Sequence, residues 1–329
     1  LTHHNINLTT PEISALWTAY MQETATLCFF KHFLIHMEDE EIGPIVKEAH
    51  DLSVSSLQQI TAIFEKENFP VPIGFGDEDV NEEAPALFTD LYALSFVYRV
   101  SQLSMMGEAY SFVTVARKDL LDFFMHAKEA SGVLYRKAVD LMLSKGIYDR
   151  PPKIPYPAKP DFVQKDSFLN GWLKERAMNA FELGEAFFII ERNYIGLIHL
   201  IGLIQTCRDH EVKEYFIRGQ KLAQKQIDTF NELLKKEGHM GTLPVSMELT
   251  DSKVNPFSDK LNLFMITSSS TTAIWLLGRA LSTSSRRDIG TKYLLLMKDI
   301  LLFAEEGAKL MIDRGWLEQP PQAQRRING

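Results

Sequence analysis

Cysteine is scarce in this chain: among 329 residues only Cys28 and Cys207 carry a thiol, each inside an apolar helical run. A thiol so placed is a small buried hydrophobe. Two of them make no disulfide framework, which points to a reducing compartment. A basic excess is missing too. The formal net charge is −8 at pH 7, and phosphate binding requires a concentrated basic face, so a nucleic-acid partner is not expected. The doublet Arg286-Arg287 is too short to change this and reads as solvated charge flanking a helix. There is no charged start followed by an apolar run and a cleavage site, so no signal peptide is expected. The most membrane-like run, Tyr194–Ile204, falls short of the ~20 residues a span needs. Glu191, Arg192, Arg208 and Asp209 flank it, so it reads as a helix buried on most sides and no membrane partner is expected.

Catalytic signatures are also lacking. No Gly-x-Ser-x-Gly elbow, phosphate-binding loop or dinucleotide fingerprint occurs. Hydrophobic residues at 45% and charged residues at 24% are ordinary for a globular chain.

What is present is a repeat. Leu141-Met142-Leu143-Ser144-Lys145-Gly146 followed by Pro151-Pro152 returns as Leu310-Met311-Ile312-Asp313-Arg314-Gly315 followed by Pro320-Pro321, an offset of 169 residues (141 to 310). At the same offset Phe88-Thr89-Asp90 meets Phe257-Ser258-Asp259, and Arg117-Lys118-Asp119-Leu120 meets Arg286-Arg287-Asp288-Ile289. Self-similarity at a fixed spacing means one fold written twice. The domains are therefore read as 1–155 and 156–329.

Within each half the apolar spacing is helical. Thr10-Pro11-Glu12 starts the first helix, and Ile13, Leu16, Trp17, Tyr20, Leu27, Phe30 and Leu34 form its stripe. Asp39 caps a second helix, matched by Asp209 in the other half. A third helix follows at about 85–115, and a fourth ends at Gly146 as a C′ glycine. The second half repeats the order at about 166–206, 209–237, 256–282 and 288–314. First-to-second and third-to-fourth links are short, so those pairs are antiparallel neighbours. The second-to-third link, at about 16 residues, reaches ~53 Å at ~3.3 Å each. That exceeds the ~42 Å length of a 28-residue helix. It can return the chain along the whole bundle, which is the ferritin-like arrangement. The fold expected is all-α: two tandem ferritin-like four-helix bundles.

Two such bundles, each closing with Leu-Met-(Leu/Ile)-x-(Lys/Arg)-Gly and a Pro-Pro pair, resemble an uncharacterised family of spore-forming Bacilli, a domain of unknown function similar to spore coat protein F. The resemblance covers essentially the whole chain. It implies a double ferritin-like fold and a spore or sporulation association. It implies no established activity and assigns no residue a role.

Ferritin-like di-iron proteins need two glutamates and two Glu-x-x-His pairs, and no Glu-x-x-His occurs here. The nearest, Glu48-Ala49-His50, points its ends about 200° apart on a helix. A smaller cluster remains in the first half. Glu108 and His126 are level on an antiparallel pair, Glu23 lies mid-way along the first helix, and Ser55-Ser56-Leu57-Gln58-Gln59 sits at that height on the second. Glu23, Glu108 and His126 are the candidate ligands for one divalent metal. In the second half their counterparts are Asn193, Leu277 and Leu295. These leucines imply inward-facing positions and no second site. The commoner reading is a buried Glu–His hydrogen bond or side chains at the rim. His32, His36 and Glu40 form a second line without further ligands to close a sphere, and Glu182/Glu185 could bridge a metal but lack a His. His199 reads as a core histidine, and Glu305-Glu306 as an ion pair with Arg279. The run Thr267–Thr272 reads as a tight seam between bundles or protomers. Met105-Met106 and the aromatics Phe88, Tyr92, Phe96, Tyr98, Tyr110 and Phe112 read as core.

The expectation is a non-enzymatic structural or interaction protein, cytoplasmic or spore-associated, forming a homodimer or coat-like assembly. The alternative is a metal-binding protein or oxidoreductase using the first-half cluster. A small-molecule pocket between helices, or where Asp149–Pro160 joins the halves, is a third reading.

Overall fold

A computed structural model describes residues 6–172, 176–239 and 248–323. Residues 240–247 of the second long link and the polar tail from 324 lie outside the described residues. Among the described residues there are eight α-helices: α1 (Thr10–Ile35), α2 (Ile42–Lys66), α3 (Asp90–Thr114), α4 (Lys118–Ser144), α5 (Ala180–Thr206), α6 (His210–Lys236), α7 (Asp259–Thr283) and α8 (Arg287–Asp313). Strand pairing among them is confined to isolated bridges, one of them between Val80 and Phe257. The fold is all-α, two tandem four-helix bundles, with α1–α4 in one and α5–α8 in the other. Within each bundle the link between second and third helices is long, 67–89 and 237–258, and the other two are short; a further long segment, 145–179, joins α4 to α5. By contacts the chain forms two compact units. One is Leu1–Gly146 with Thr250–Leu261 and Arg314–Gly329; the other is Ile147–Leu249 with Asn262–Asp313.

The repeat governs local structure. Asp39 accepts from the backbone N–H of Glu41 and Ile42, and Asp209 from Glu211 and Val212. Thr89 Oγ1 accepts from Tyr92 N, and Ser258 Oγ from Leu261 N. Asp209, Thr89 and Ser258 immediately precede their helices, and Asp39 stands two residues ahead of the N-cap Glu41; each satisfies donors that a helix start leaves open. Gly146 and Gly315 adopt φ of 70° and 66°, the left-handed C′ position where a side chain is disfavoured.

α5 starts later than its sequence pattern implies. Only a short 3-10 turn, Asp166–Leu169, forms ahead of it. Asn179 and Glu182 then make a capping box that fixes the first turn at Ala180. At Gly171 a Cβ would lie 1.5 Å from Asp288 Oδ1, so the segment before the box is pressed against α8 instead of coiling. α5 is long and apolar enough to cross a membrane. Its apolar residues serve a core: Leu183, Ala186, Ile189 and Ile190 pack with Phe230, Leu277 and Tyr293 from α6, α7 and α8.

In the α1–α4 bundle one end packs around Leu16, Ile60, Phe64, Leu120 and Phe124. The other carries stacked aromatics, including Phe88 on Tyr92 at 4.2 Å. Tyr110 departs from the expected aromatic core and is exposed. In the α5–α8 bundle, part of the small-residue run lies inside its own bundle. Thr267 and Tyr215 Oη face Gly307 of α8 so closely that a Cβ there would lie 2.3 Å from each.

A polar latch closes each bundle, and it is the same latch twice. Glu12, 1% exposed, accepts at Oε2 from Thr9 N (2.8 Å) and at Oε1 from Ala116 N (3.2 Å) and Arg117 N (3.1 Å). Arg117 pairs with Glu67 at 2.8 Å and Asp119 at 2.7 Å. In the second bundle Glu182, also 1% exposed, accepts from Asn179 N (3.0 Å), Ser285 N (3.1 Å) and Arg286 N (2.9 Å). Arg286 pairs with Glu237 at 2.9 Å and Asp288 at 2.8 Å. Each latch ties the start of the first helix, the end of the second and the link before the fourth. Arg286 is therefore not solvated charge: it is 1% exposed and neutralised on two sides.

Candidate functional site: the interior of the first bundle

Glu23 of α1 and Glu108 of α3 are brought together. Both are partly buried, and the charge of Glu23 acts on the Glu108 carboxyl. Ser131 of α4 donates from Oγ to Glu108 Oε1 at 3.2 Å. Ser53 of α2 hydrogen-bonds Glu23. Both serines are buried, so each helix of the bundle contributes one polar residue to the centre. Glu108 Oε2 is buried without a hydrogen-bond partner.

Burial dominates the electrostatics. Desolvation pushes the Glu108 carboxyl up to about 7; the Ser131 hydrogen bond opposes the rise and the Glu23 charge adds to it. Burial likewise raises Glu23, against the Ser53 hydrogen bond. Two carboxylates sharing a dry site resist ionising together. Near neutrality the pair holds a proton, or offers oxygen donors to a cation in its place.

His126 does not join them. It is exposed on α4, while the inward residue is Ser131. Five residues at 100° each turn the side chain ~140° away, so equal height along the helix does not imply a shared face. Leu295, its counterpart, is also exposed, whereas Leu277 is fully buried. On α2 the inward positions are Ser53 and Ser56, with Ser55, Gln58 and Gln59 exposed. The repeat shows what the second bundle has instead. Ala223, Leu277 and Ile300, the counterparts of Ser53, Glu108 and Ser131, are buried, and Asn193 donates from Nδ2 to Gln226 at 3.3 Å.

Other singled-out residues serve the fold. His32 Nε2 accepts from Leu87 N at 3.3 Å, and His36 Nε2 bonds Ala84 O at 2.9 Å, so both hold the first long link. Burial lowers His32 to about 4, followed by the effect of His36, so it is neutral at pH 7. Burial lowers His199 to about 4 as well. Arg279 pairs with Glu185, and Glu306 with Arg218, in place of the expected ion pair between Arg279 and Glu305-Glu306. Among the described residues no group of three or more His, Cys, Asp and Glu side chains is placed to hold a metal.

One family profile, DUF3231, described as a protein of unknown function, matches residues 1–159 and again 167–328. The chain belongs to this family. Each DUF3231 match spans one four-helix set, so the family unit is the bundle and the chain holds two. No curated protein matches. Among solved structures, a "putative spore coat protein" from Bacillus halodurans is matched at 18% identity, covering 46% of this chain and 98% of that one, with a TM-score of 0.42.

Proposed function

We propose that this DUF3231 chain is a non-enzymatic structural or interaction protein of ferritin-like fold, associated with the spore or sporulation. The observation that carries the structural role is the duplicated latch. The ionisable groups kept in both bundles, Glu12, Glu67, Arg117 and Asp119 and their counterparts, are engaged in closing helix ends. The long second-to-third link in each bundle supports the ferritin-like arrangement. The spore association rests on the resemblance carried by the two Gly…Pro-Pro endings.

Complementation tests the structural role. The Glu23→Leu/Glu108→Leu variant removes both carboxylates from the interior of the first bundle. In a strain lacking the gene it is expected to restore the wild-type phenotype fully. A folded variant that restores nothing would assign the function to the carboxylates.

The unpartnered Glu108 Oε2 favours a second reading, a cation held by Glu23 and Glu108. An all-oxygen donor set of carboxylates and hydroxyls suits a hard divalent ion such as Mg²⁺ or Mn²⁺. Metal content of the purified chain separates the two readings.

A further inference from the structure

α8 has a second apolar face. Its core face is Ile289, Tyr293, Leu296, Ile300 and Met311, all buried. On the opposite side Leu294, Leu295, Leu301, Leu302 and Ile312 are each 55–61% exposed. At 100° per residue these five fall within an arc of about 120°, centred roughly 160° from the middle of the core face. They cannot be residues of their own bundle's interior. An exposed apolar stripe running most of a helix is a surface that meets another surface.

The charges on that stripe identify the other surface. Lys298, Glu305 and Lys309 are exposed and lie amid the leucines. Their neighbours Asp299 and Glu306 pair with Lys225 and Arg218 of α6, so those charges belong to the bundle. Now place a second α8 antiparallel on the first, with a two-fold axis between Leu301 and Leu302. Leu301 then meets the partner subunit's Leu302, and Lys298 meets the partner subunit's Glu305. The axis forms both contacts twice. At its centre the stripe complements its own antiparallel copy in apolar surface and charge, and Leu294 lies against the aliphatic stem of the partner subunit's Lys309, as an isologous interface allows.

We propose that the chain self-associates as a two-fold dimer through antiparallel packing of α8 on α8. The interface stands on α8 alone and is independent of whether Glu23 and Glu108 hold a cation. Sedimentation velocity of the full chain over a concentration series is expected to show dimer. Leu301→Glu/Leu302→Glu is expected to give a monomer that stays folded, with the helical circular dichroism of wild type, because the replaced side chains lie outside the bundle's own core. Lys298→Glu alone, or Glu305→Lys alone, should raise the dimer dissociation constant about tenfold. Combining the two exchanges the charges and should restore wild-type affinity. The proposal is overturned by a wild-type monomer throughout the series, by a dimer indifferent to Leu301→Glu/Leu302→Glu, or by a double charge exchange that fails to restore.

Discussion

Glu182→Ala is expected to lower the unfolding free energy of the second bundle by about 3–5 kcal/mol, the cost of removing one partner from a buried charge network. Glu182 accepts two bonds from Arg176, each 2.8 Å, besides the backbone donors of Asn179, Ser285 and Arg286. Removing it leaves two N–H groups at the head of α8 unsatisfied and Arg176 unpaired. In a unit of this size the loss corresponds to a fall in melting temperature of about 10 °C. Glu185→Ala is the control. It breaks a pair whose Arg279 side chain is 64% exposed, and such pairs contribute at most about 1 kcal/mol. Differential scanning calorimetry distinguishes the two, and equal effects would contradict the latch. The pH dependence has a definite sign. Burial opposes ionisation of Glu182, but Arg176 and the backbone donors outweigh it and hold the carboxyl below its ordinary 4.5. The stabilisation is therefore present above that value and is lost as pH falls through the lower folded one.

Glu108→Leu is expected to act in the opposite direction. The folded state keeps the Glu108 proton up to about 7, whereas the unfolded chain releases it near 4.5. Between those values the folded state binds more protons, so wild-type stability falls as pH rises and levels off above about 7. Leucine removes the dependence and copies the second bundle. The variant's advantage over wild type should grow by about 2–3 kcal/mol between pH 5 and pH 8. Glu108→Gln, which keeps the shape without the charge, should show the same growth. Chemical denaturation at both pH values measures it. Parallel profiles for wild type and variants would mean that Glu108 is solvated and ionised in the folded chain.

Much of the fold was legible because its signals are local. Gly146 and Gly315, Asp39 and Asp209, and Thr89 and Ser258 act within a turn of their own position, and the repeat states each twice. The latches were not legible in the same way. Glu12 reads as a helix start and Glu182 as half of an acidic pair, yet each acts on a link 103–105 residues away. The one trace in the sequence is that Glu12 and Arg117 recur at nearly the same spacing as Glu182 and Arg286. The carboxylate pair was half legible. Leu277 marks the Glu108 position as inward, but Leu295 misleads at His126 because it belongs to the outer stripe of α8. Ser53 and Ser131 gave no signal of their own, since serine is common on solvated helix faces. Their counterparts Ala223 and Ile300 were the available sign.

The most direct measurement is the metal content of the full chain, purified without tag or chelator, beside Glu108→Leu. A structural protein with a protonated carboxylate pair predicts only substoichiometric metal, the same in both proteins. A stoichiometric metal in the wild type that is lost in Glu108→Leu would contradict it and make the first bundle a metal centre.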